Sequence, residues 1–252
     1  MSVRPPEVRV LKQQVATHNR KSGQLHQQTD LTFKIAIVGP SRSGKTRLAN
    51  QMAATPFLSA DISGHVYSET AAVRIQSFAV NVLAAAGGRT GQQPLPLCVE
   101  CELWDVSGSS AYEQLWPAVC SDLNGVVIVY EPKNTAHQSE LKAWLDWFTR
   151  EAKLSTGQLL AIAHGGSGGA QVKPLKVTVK EDAGGEVKER VVSVPVVNVP
   201  AGGGMVEGGN GGGSGGEGEG VRVVRLELEQ WLGGSVFAFH PKAAETFETM
   251  SK

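Results

Sequence analysis

One stretch decides the fold of this chain, and it reads Gly39-Pro40-Ser41-Arg42-Ser43-Gly44-Lys45-Thr46. It matches G-x-x-x-x-G-K-[ST], the pattern of a phosphate-binding loop, in full. Glycines at both ends let the backbone curl around phosphates, so that successive N–H groups point inward. Lys45 can then reach the outer phosphates, and the Thr46 hydroxyl can bind Mg²⁺. We predict that all eight residues bind a nucleotide.

The sequence on either side of this loop supports the prediction. Residues 34–38 form a mostly apolar run that predicts a buried strand ending at Gly39. A helix is expected to begin near Gly44, with Leu48 and Met52 on one face. The positive end of its dipole would attract phosphate. A strand before the loop and a helix after it are the context that a working phosphate loop requires.

The rest of the chain alternates between strand and helix patterns. Further strands are predicted at 73–80, 99–104, 126–130, 158–163 and 196–199, and a hairpin at 177–180 and 187–194. The clearest helix spans 135–154, with Thr135 and Gln138 in the positions of a capping box. Residues 221–232 fit either a helix or a strand. This order predicts an α/β fold of the P-loop NTPase, small-GTPase type, with a central, mostly parallel sheet and helices on both faces.

Composition divides the chain into a folded domain and less ordered segments. We expect a flexible N-terminal tail over 1–31, a nucleotide-binding domain over 32–240 and a C-terminal tail over 241–252. Loop insertions are expected at 81–97 and 201–220. The second insertion is low in complexity and rich in Gly, so it lacks the apolar content to fold.

Charge, cysteine usage and hydropathy exclude several functional classes. The chain has 24 basic and 24 acidic residues, so nucleic acid is not an expected partner. Cys98 and Cys101 form a single C-x-x-C, too few ligands for zinc; we expect reduced cysteines without a disulfide and a cytoplasmic location. No apolar run approaches the ~20 residues of a membrane span. Ser2 and a C-terminus without a Cys box predict no lipid anchor.

A second motif and one threonine narrow the class of nucleotide-binding protein. Asp105 and Gly108 form a D-x-x-G directly after a predicted strand, as in nucleotide switches. There the aspartate holds Mg²⁺ and the glycine amide contacts the terminal phosphate. Thr70 lies where a first switch would offer a hydroxyl to the metal. We therefore add Thr70, Asp105 and Gly108 to the nucleotide site, and predict Thr46, Thr70 and Asp105 as metal ligands.

Two features expected of a small GTPase are missing, one for recognition of guanine and one for hydrolysis. The strand over 158–163 is followed by His164 where N-K-x-D would read guanine, so these residues do not decide between guanine and adenine. His164 could contact a base or lie in water. Ser109 and Ser110 replace the Gln that positions the attacking water, so no catalytic residue is predicted. We expect intrinsic hydrolysis no faster than ~10⁻⁴ per second.

Taken together, these motifs resemble one known family, the ciliary Rab-like small GTPases of intraflagellar transport. The resemblance rests on the phosphate loop followed by Leu48-Ala49-Asn50, on Tyr67-Ser68-x-Thr70 with Val73-Arg74-Ile75, on Glu102-Leu103-Trp104-Asp105, on Leu115-Trp116-Pro117-Ala118, on Gly125-Val126-Val127-Ile128-Val129 and on Ile162-Ala163-His164. The missing base motif is itself a trait of the family. Ala72 departs from it, because a Gly usually follows the switch threonine at that position.

The resemblance implies a function that the motifs alone do not. It implies GTP or GDP with Mg²⁺ as ligands and a subunit of the intraflagellar transport B complex that docks on a coiled-coil pair of larger subunits. It also implies a location in the cilium or flagellum and at its base. A Rab- or Arf-like switch with activator-dependent hydrolysis is the alternative, and an ATP-dependent transferase is a third reading that would need an Arg-rich lid. Trp147 is either an exposed partner anchor or part of the core.

Overall fold

The computed structural model describes residues 27–53, 69–84, 93–166, 175–183, 186–200, 219–237 and 240–250. Its strands are β1 (Gln27–Val38), β2 (Val73–Ala84), β3 (Leu95–Val106), β4 (Gly125–Tyr130), β5 (Leu159–Gly166), β6 (Leu175–Ala183), β7 (Glu186–Val194) and β8 (Val196–Pro200). Its α-helices are α1 (Lys45–Met52), α2 (Trp116–Cys120), α3 (Thr135–Ala152), α4 (Glu219–Trp231) and α5 (Ala243–Met250). Short 3₁₀ turns cover Ser110–Leu115 and Thr156–Gln158, and a π-helical turn covers Leu232–Val236.

Six strands form the central sheet in the order β2-β3-β1-β4-β5-β8. Strand β2 is antiparallel to β3, and all other neighbours are parallel. The chain adds β3 on one side of β1 and β4 on the other, so the strand order switches direction at β1. Ligands of open α/β sheets bind at the carboxyl ends of the strands at such a switch, and the phosphate loop follows β1 there. The predicted fold class is confirmed.

The sheet buries one apolar core on each face. Alternate side chains of β1 serve the two cores, with Ile35 and Ile37 on one face and Ala36 and Val38 on the other. The first core lies under α1 and α4. Val224 and Leu228 are buried there together with Trp231 and Leu232, so 221–232 is a helix rather than a strand.

The second core, under α2 and α3, is aromatic. Trp116 lies at its centre, with ring centroids 4.4 Å from Trp144, 5.0 Å from Trp147 and 5.6 Å from Phe148. Trp147 is half-buried and packs against this core, which favours the core interpretation of that side chain. Edge-on and tilted ring contacts of this kind stabilise beyond their buried area.

The strands extend further than the sequence predicted. Residues 27–31 of the predicted tail belong to β1, and residues 81–84 and 95–97 of the predicted insertion are paired in β2 and β3. Val82 and Leu97 are buried in the first core, so apolar burial compensates for the prolines that suggested a loop. Part of the predicted C-terminal tail is α5. The predicted segments 1–26, 85–92 and 201–218 lie outside the described residues.

One of two local predictions, the cap at the start of α3, was wrong, and the other, the β6–β7 hairpin, is confirmed. The capping-box prediction was wrong, because the Asn134 side chain caps α3 by accepting from the N–H groups of Ala136 and His137. The predicted hairpin is confirmed, since β6 and β7 pair antiparallel as a separate two-stranded sheet.

Among the described residues, no helix is both long enough and apolar enough to cross a membrane.

Candidate nucleotide-binding site

The loop between β1 and α1 has the backbone of a phosphate cradle. Gly39 has φ +134° and Gly44 has φ +91°, values that side chains rarely allow. A Cβ at Gly39 would lie 2.3 Å from the Val129 carbonyl oxygen, so only glycine fits between the loop and β4. Arg42 also has a positive φ, +63°. Alternation between right- and left-handed residues turns successive N–H groups toward one concave side, where an anion binds.

Lys45 is positioned by the loop that it follows. Its side chain is buried, and its ammonium donates to the carbonyl oxygens of Gly39 at 2.8 Å and Pro40 at 2.7 Å. An ammonium has three N–H donors, so one remains for a phosphate oxygen. Burial lowers the pKa of Lys45 to about 8, against the opposing effects of Asp105 and Glu69. The predicted phosphate-binding lysine therefore lies against the loop, held by two of its carbonyl oxygens.

The three predicted metal ligands meet at one point. The hydroxyl oxygens of Thr46 and Thr70 are 2.6 Å apart, and the Thr70 hydroxyl donates to Asp105 Oδ2 at 3.4 Å. Asp105 is fully buried, and burial raises the pKa of its carboxyl group above the usual value. Its Oδ1 has no hydrogen-bond partner among the described residues. Two hydroxyls and an unsatisfied carboxylate oxygen are the hard oxygen donors that Mg²⁺ prefers, so the donor set fits the metal.

A second cation lies beside Asp105, and the sequence motifs did not reveal it. Arg74 is directly opposite Asp105 in the β2–β3 ladder, with Nη2 3.5 Å from Asp105 Oδ2. The same nitrogen donates to Asn50 Oδ1 at 2.6 Å and to Gln76 Oε1 at 3.2 Å. No sequence pattern links Arg74, the second residue of β2, to Asp105 of the D-x-x-G motif. Only the pairing of β2 with β3 brings the two side chains together.

Gly108 contacts the phosphate loop directly. A Cβ at Gly108 would lie 2.5 Å from the Ser41 backbone nitrogen, so the D-x-x-G glycine is required for this close approach. The two serines that follow do not replace a glutamine. The Ser109 hydroxyl accepts from the Ala111 N–H and caps the following 3₁₀ turn, and Ser110 is exposed.

Comparison with known proteins finds one matching domain family and several similar proteins. The family model Roc, Ras of Complex, domain of DAPkinase, matches residues 34–164, about half of the chain. The Homo sapiens and Mus musculus proteins named intraflagellar transport protein 22 homolog are each 37% identical, over 134 and 141 residues. Their matched regions cover 53% and 55% of this chain and 65% and 69% of the relatives. The Chlamydomonas reinhardtii intraflagellar transport protein 22 is 34% identical over 145 residues, 68% of its length.

This chain belongs to the intraflagellar transport protein 22 family and contains a Roc domain. It spans about two thirds of the length of the curated relatives that it matches. A solved structure, the T. brucei IFT22/74/81 GTP-bound crystal structure, is 29% identical with a TM-score of 0.39. The match covers 54% of this chain and 67% of that one.

The end of β5, where this family member lacks N-K-x-D, carries a half-buried histidine. The His164 ring lies so close to Gly44 that a Cβ there would be 2.6 Å from Nδ1. Burial lowers the pKa of His164, and the charge of Arg47 lowers it further, whereas a hydrogen bond to the Ser43 backbone raises it. The ring therefore packs against the phosphate loop, which is a closer association than a histidine in open water would have.

A second histidine touches the loop from α3, and the sequence analysis did not single it out. His137 is 4% exposed, and its Nε2 lies 3.1 Å from the Ser41 carbonyl oxygen. Its Nδ1 accepts from the Glu131 N–H at 3.2 Å. The two partners of the Ser41 contact are 96 residues apart in sequence, and no motif signals a contact of that kind.

Proposed function

We propose that this chain is the guanine-nucleotide-binding subunit of the intraflagellar transport B complex, acting in cilium assembly and ciliary cargo transport. The observation that supports it best is the site itself. A complete phosphate loop, a switch threonine and the D-x-x-G residues converge in a chain of the intraflagellar transport protein 22 family. The location that follows is the cytoplasm, the cilium or flagellum, and its base.

The roles of the site residues follow from their chemistry. The backbone N–H groups of the phosphate loop surround the phosphates, and Lys45 neutralises the outer ones. Mg²⁺ would be held by Thr46, Thr70 and Asp105, and it would neutralise charge between the outer phosphates. The Gly108 amide would contact the terminal phosphate, so that its position depends on which nucleotide is bound.

We propose a binding role rather than rapid catalysis. Hydrolysis requires a group that orients the attacking water, and the serines after D-x-x-G do not provide one, because Ser109 caps a turn and Ser110 is exposed. The loaded protein would keep its nucleotide and offer a fixed surface to its partners. Those partners would be coiled-coil subunits of the transport complex.

The test is equilibrium binding of fluorescent GTP, GDP and ATP to the purified chain, with and without Mg²⁺. We expect guanine nucleotides to bind more tightly than ATP. Lys45→Ala should weaken binding by about a hundredfold or more, since it removes a buried charge-assisted contact. Equal binding of ATP and GTP, or no binding at all, would refute the proposal.

The alternative is a switching GTPase that relies on an activator. A single-turnover assay with GTP distinguishes the two, first with the chain alone and then with a ciliary extract. We expect hydrolysis no faster than ~10⁻⁴ per second for the chain alone. A large acceleration by the extract that disappears in Lys45→Ala would favour the switching alternative.

A further inference from the structure

The phosphate loop contains a residue in an unfavourable backbone conformation. Arg42 has φ +63°, in the left-handed region where a Cβ is crowded by the following carbonyl oxygen. Glycine would occupy this conformation without strain. The loop therefore carries backbone strain at Arg42, which a contact from outside the loop can offset.

The orientation of one peptide group is fixed from outside the loop. The Ser41 carbonyl oxygen points toward α3, where His137 Nε2 lies 3.1 Å away. In a trans peptide, the carbonyl of one residue and the N–H of the next point in opposite directions, and the described residues contain no cis peptide. The Arg42 N–H therefore points away from α3.

His137 is itself held in one orientation and one tautomer. Its Nδ1 accepts from the Glu131 N–H at 3.2 Å, so the ring proton of the neutral imidazole lies on Nε2 and is donated to Ser41. The residue lies in the first turn of α3, whose start is fixed by the Asn134 cap. Because the side chain is 4% exposed, water does not compete for either hydrogen bond.

We propose that His137 is a positioning residue that holds the Ser41–Arg42 peptide in the orientation in which the Arg42 N–H binds phosphate. It acts against the backbone strain of Arg42, which would otherwise favour rotation of that peptide. This inference rests on the proposed nucleotide-binding function. It identifies a contact between α3 and the phosphate loop that helps the loop bind phosphate.

The first experiment compares His137→Ala with His137→Gln by the dissociation rate of N-methylanthraniloyl-GDP in Mg²⁺. The alanine variant should release the nucleotide about tenfold faster, the size expected for one lost hydrogen bond in a buried site. Glutamine can donate to Ser41 and accept from the Glu131 N–H, so its rate should stay within about threefold of wild type. Melting temperatures without nucleotide separate loss of positioning from loss of fold.

The second experiment tests the link to backbone strain. Arg42→Gly removes the strain and Arg42→Ala keeps it, although both delete the guanidinium. Adding His137→Ala to the glycine variant should accelerate release by only about twofold to threefold, whereas adding it to the alanine variant should keep the full tenfold effect. Equal effects in the two backgrounds would overturn the proposed link.

The outcomes also separate this inference from the function on which it rests. If the wild type binds no nucleotide, the proposed function fails and the role of His137 fails with it. If the wild type binds GDP and His137→Ala releases it at the wild-type rate, only the positioning role is overturned. If His137→Gln releases GDP as fast as His137→Ala at an equal melting temperature, it is overturned as well.

Discussion

The phosphate end and the base end of the site lie at the same edge of the sheet but are built differently. At the phosphate end, Lys45, Thr46, Thr70 and Asp105 contact the loop or one another at 2.6 to 3.4 Å. At the base end, β5 ends with His164, Gly165 and Gly166. The sequence has no carboxylate in the place where N-K-x-D would supply one.

This difference indicates where binding energy comes from. Buried charges and the N–H groups of the loop at the phosphate end would supply strong, charge-assisted contacts to a nucleotide. A histidine and glycines supply few hydrogen bonds to a base edge, and discrimination between bases depends on such paired polar groups. We therefore expect most of the affinity to come from the phosphates, and a smaller part, which favours guanine, to come from the base.

The largest expected effect comes from a substitution that distorts the backbone of the phosphate loop. Gly39→Ala places a Cβ 2.3 Å from the Val129 carbonyl oxygen and forces alanine to φ +134°. We expect a loss of about 3 kcal/mol or more in the free energy of unfolding, measured by urea denaturation. Gly234→Ala is the matched control, since no atom lies within 4 Å of its added Cβ. Similar stabilities for the two variants would show that the loop adapts.

The next effect removes the second cation of the phosphate end. Arg74→Ala leaves the buried Asp105 without its ion-pair partner, and we expect a loss of about 2 kcal/mol, less than for a fully buried pair because Arg74 is partly exposed. Mg²⁺–GDP should restore part of this loss by supplying positive charge. Arg150→Ala, which breaks the exposed pair with Glu151, should change little. Equal losses in both variants would argue against a specific role for Arg74.

A third prediction uses pH to examine Lys45 without nucleotide. Its pKa of about 8 in the folded chain lies below the usual lysine value of 10.5, so above pH 8 the unfolded chain binds more protons than the folded one. Stability therefore rises with pH in this window relative to Lys45→Met, by about 1 kcal/mol between pH 7 and pH 9. The thiols titrate in both proteins and cancel in the difference. A flat difference between the two denaturation curves would contradict the lowered pKa.

The smallest expected effect is at the base end. His164→Ala should weaken GDP binding by about threefold and leave ADP binding nearly unchanged, because one neutral imidazole offers a single directional contact to a base. His240→Ala is the control for the loss of a histidine, because the His240 ring packs against Phe33 of the first core, with ring centroids 5.2 Å apart. A hundredfold loss of GDP affinity would remove the distinction between the two ends.

The sequence predicted the parts of the site that follow one another along the chain. The phosphate loop and D-x-x-G are local patterns, since their function depends on spacing and on backbone conformations that glycine permits. The strand and helix order was predicted because burial of one or both faces imposes a regular apolar period. Strand ends were less predictable: Gly and Pro suggested a loop over 81–97, whereas pairing extends β2 to Ala84 and starts β3 at Leu95.

The tertiary structure decided the contacts between residues far apart in sequence. Arg74 meets Asp105 through strand register, and His137 meets Ser41 because α3 packs beside the loop. Residues 221–232 had patterns for both helix and strand, and the helix prevails because it buries Val224, Leu228 and Trp231 on the sheet. The sequence by itself determined the chemistry that each local segment can perform. Packing determined which side chains hold those segments in position, because such contacts depend on geometry that no local pattern encodes.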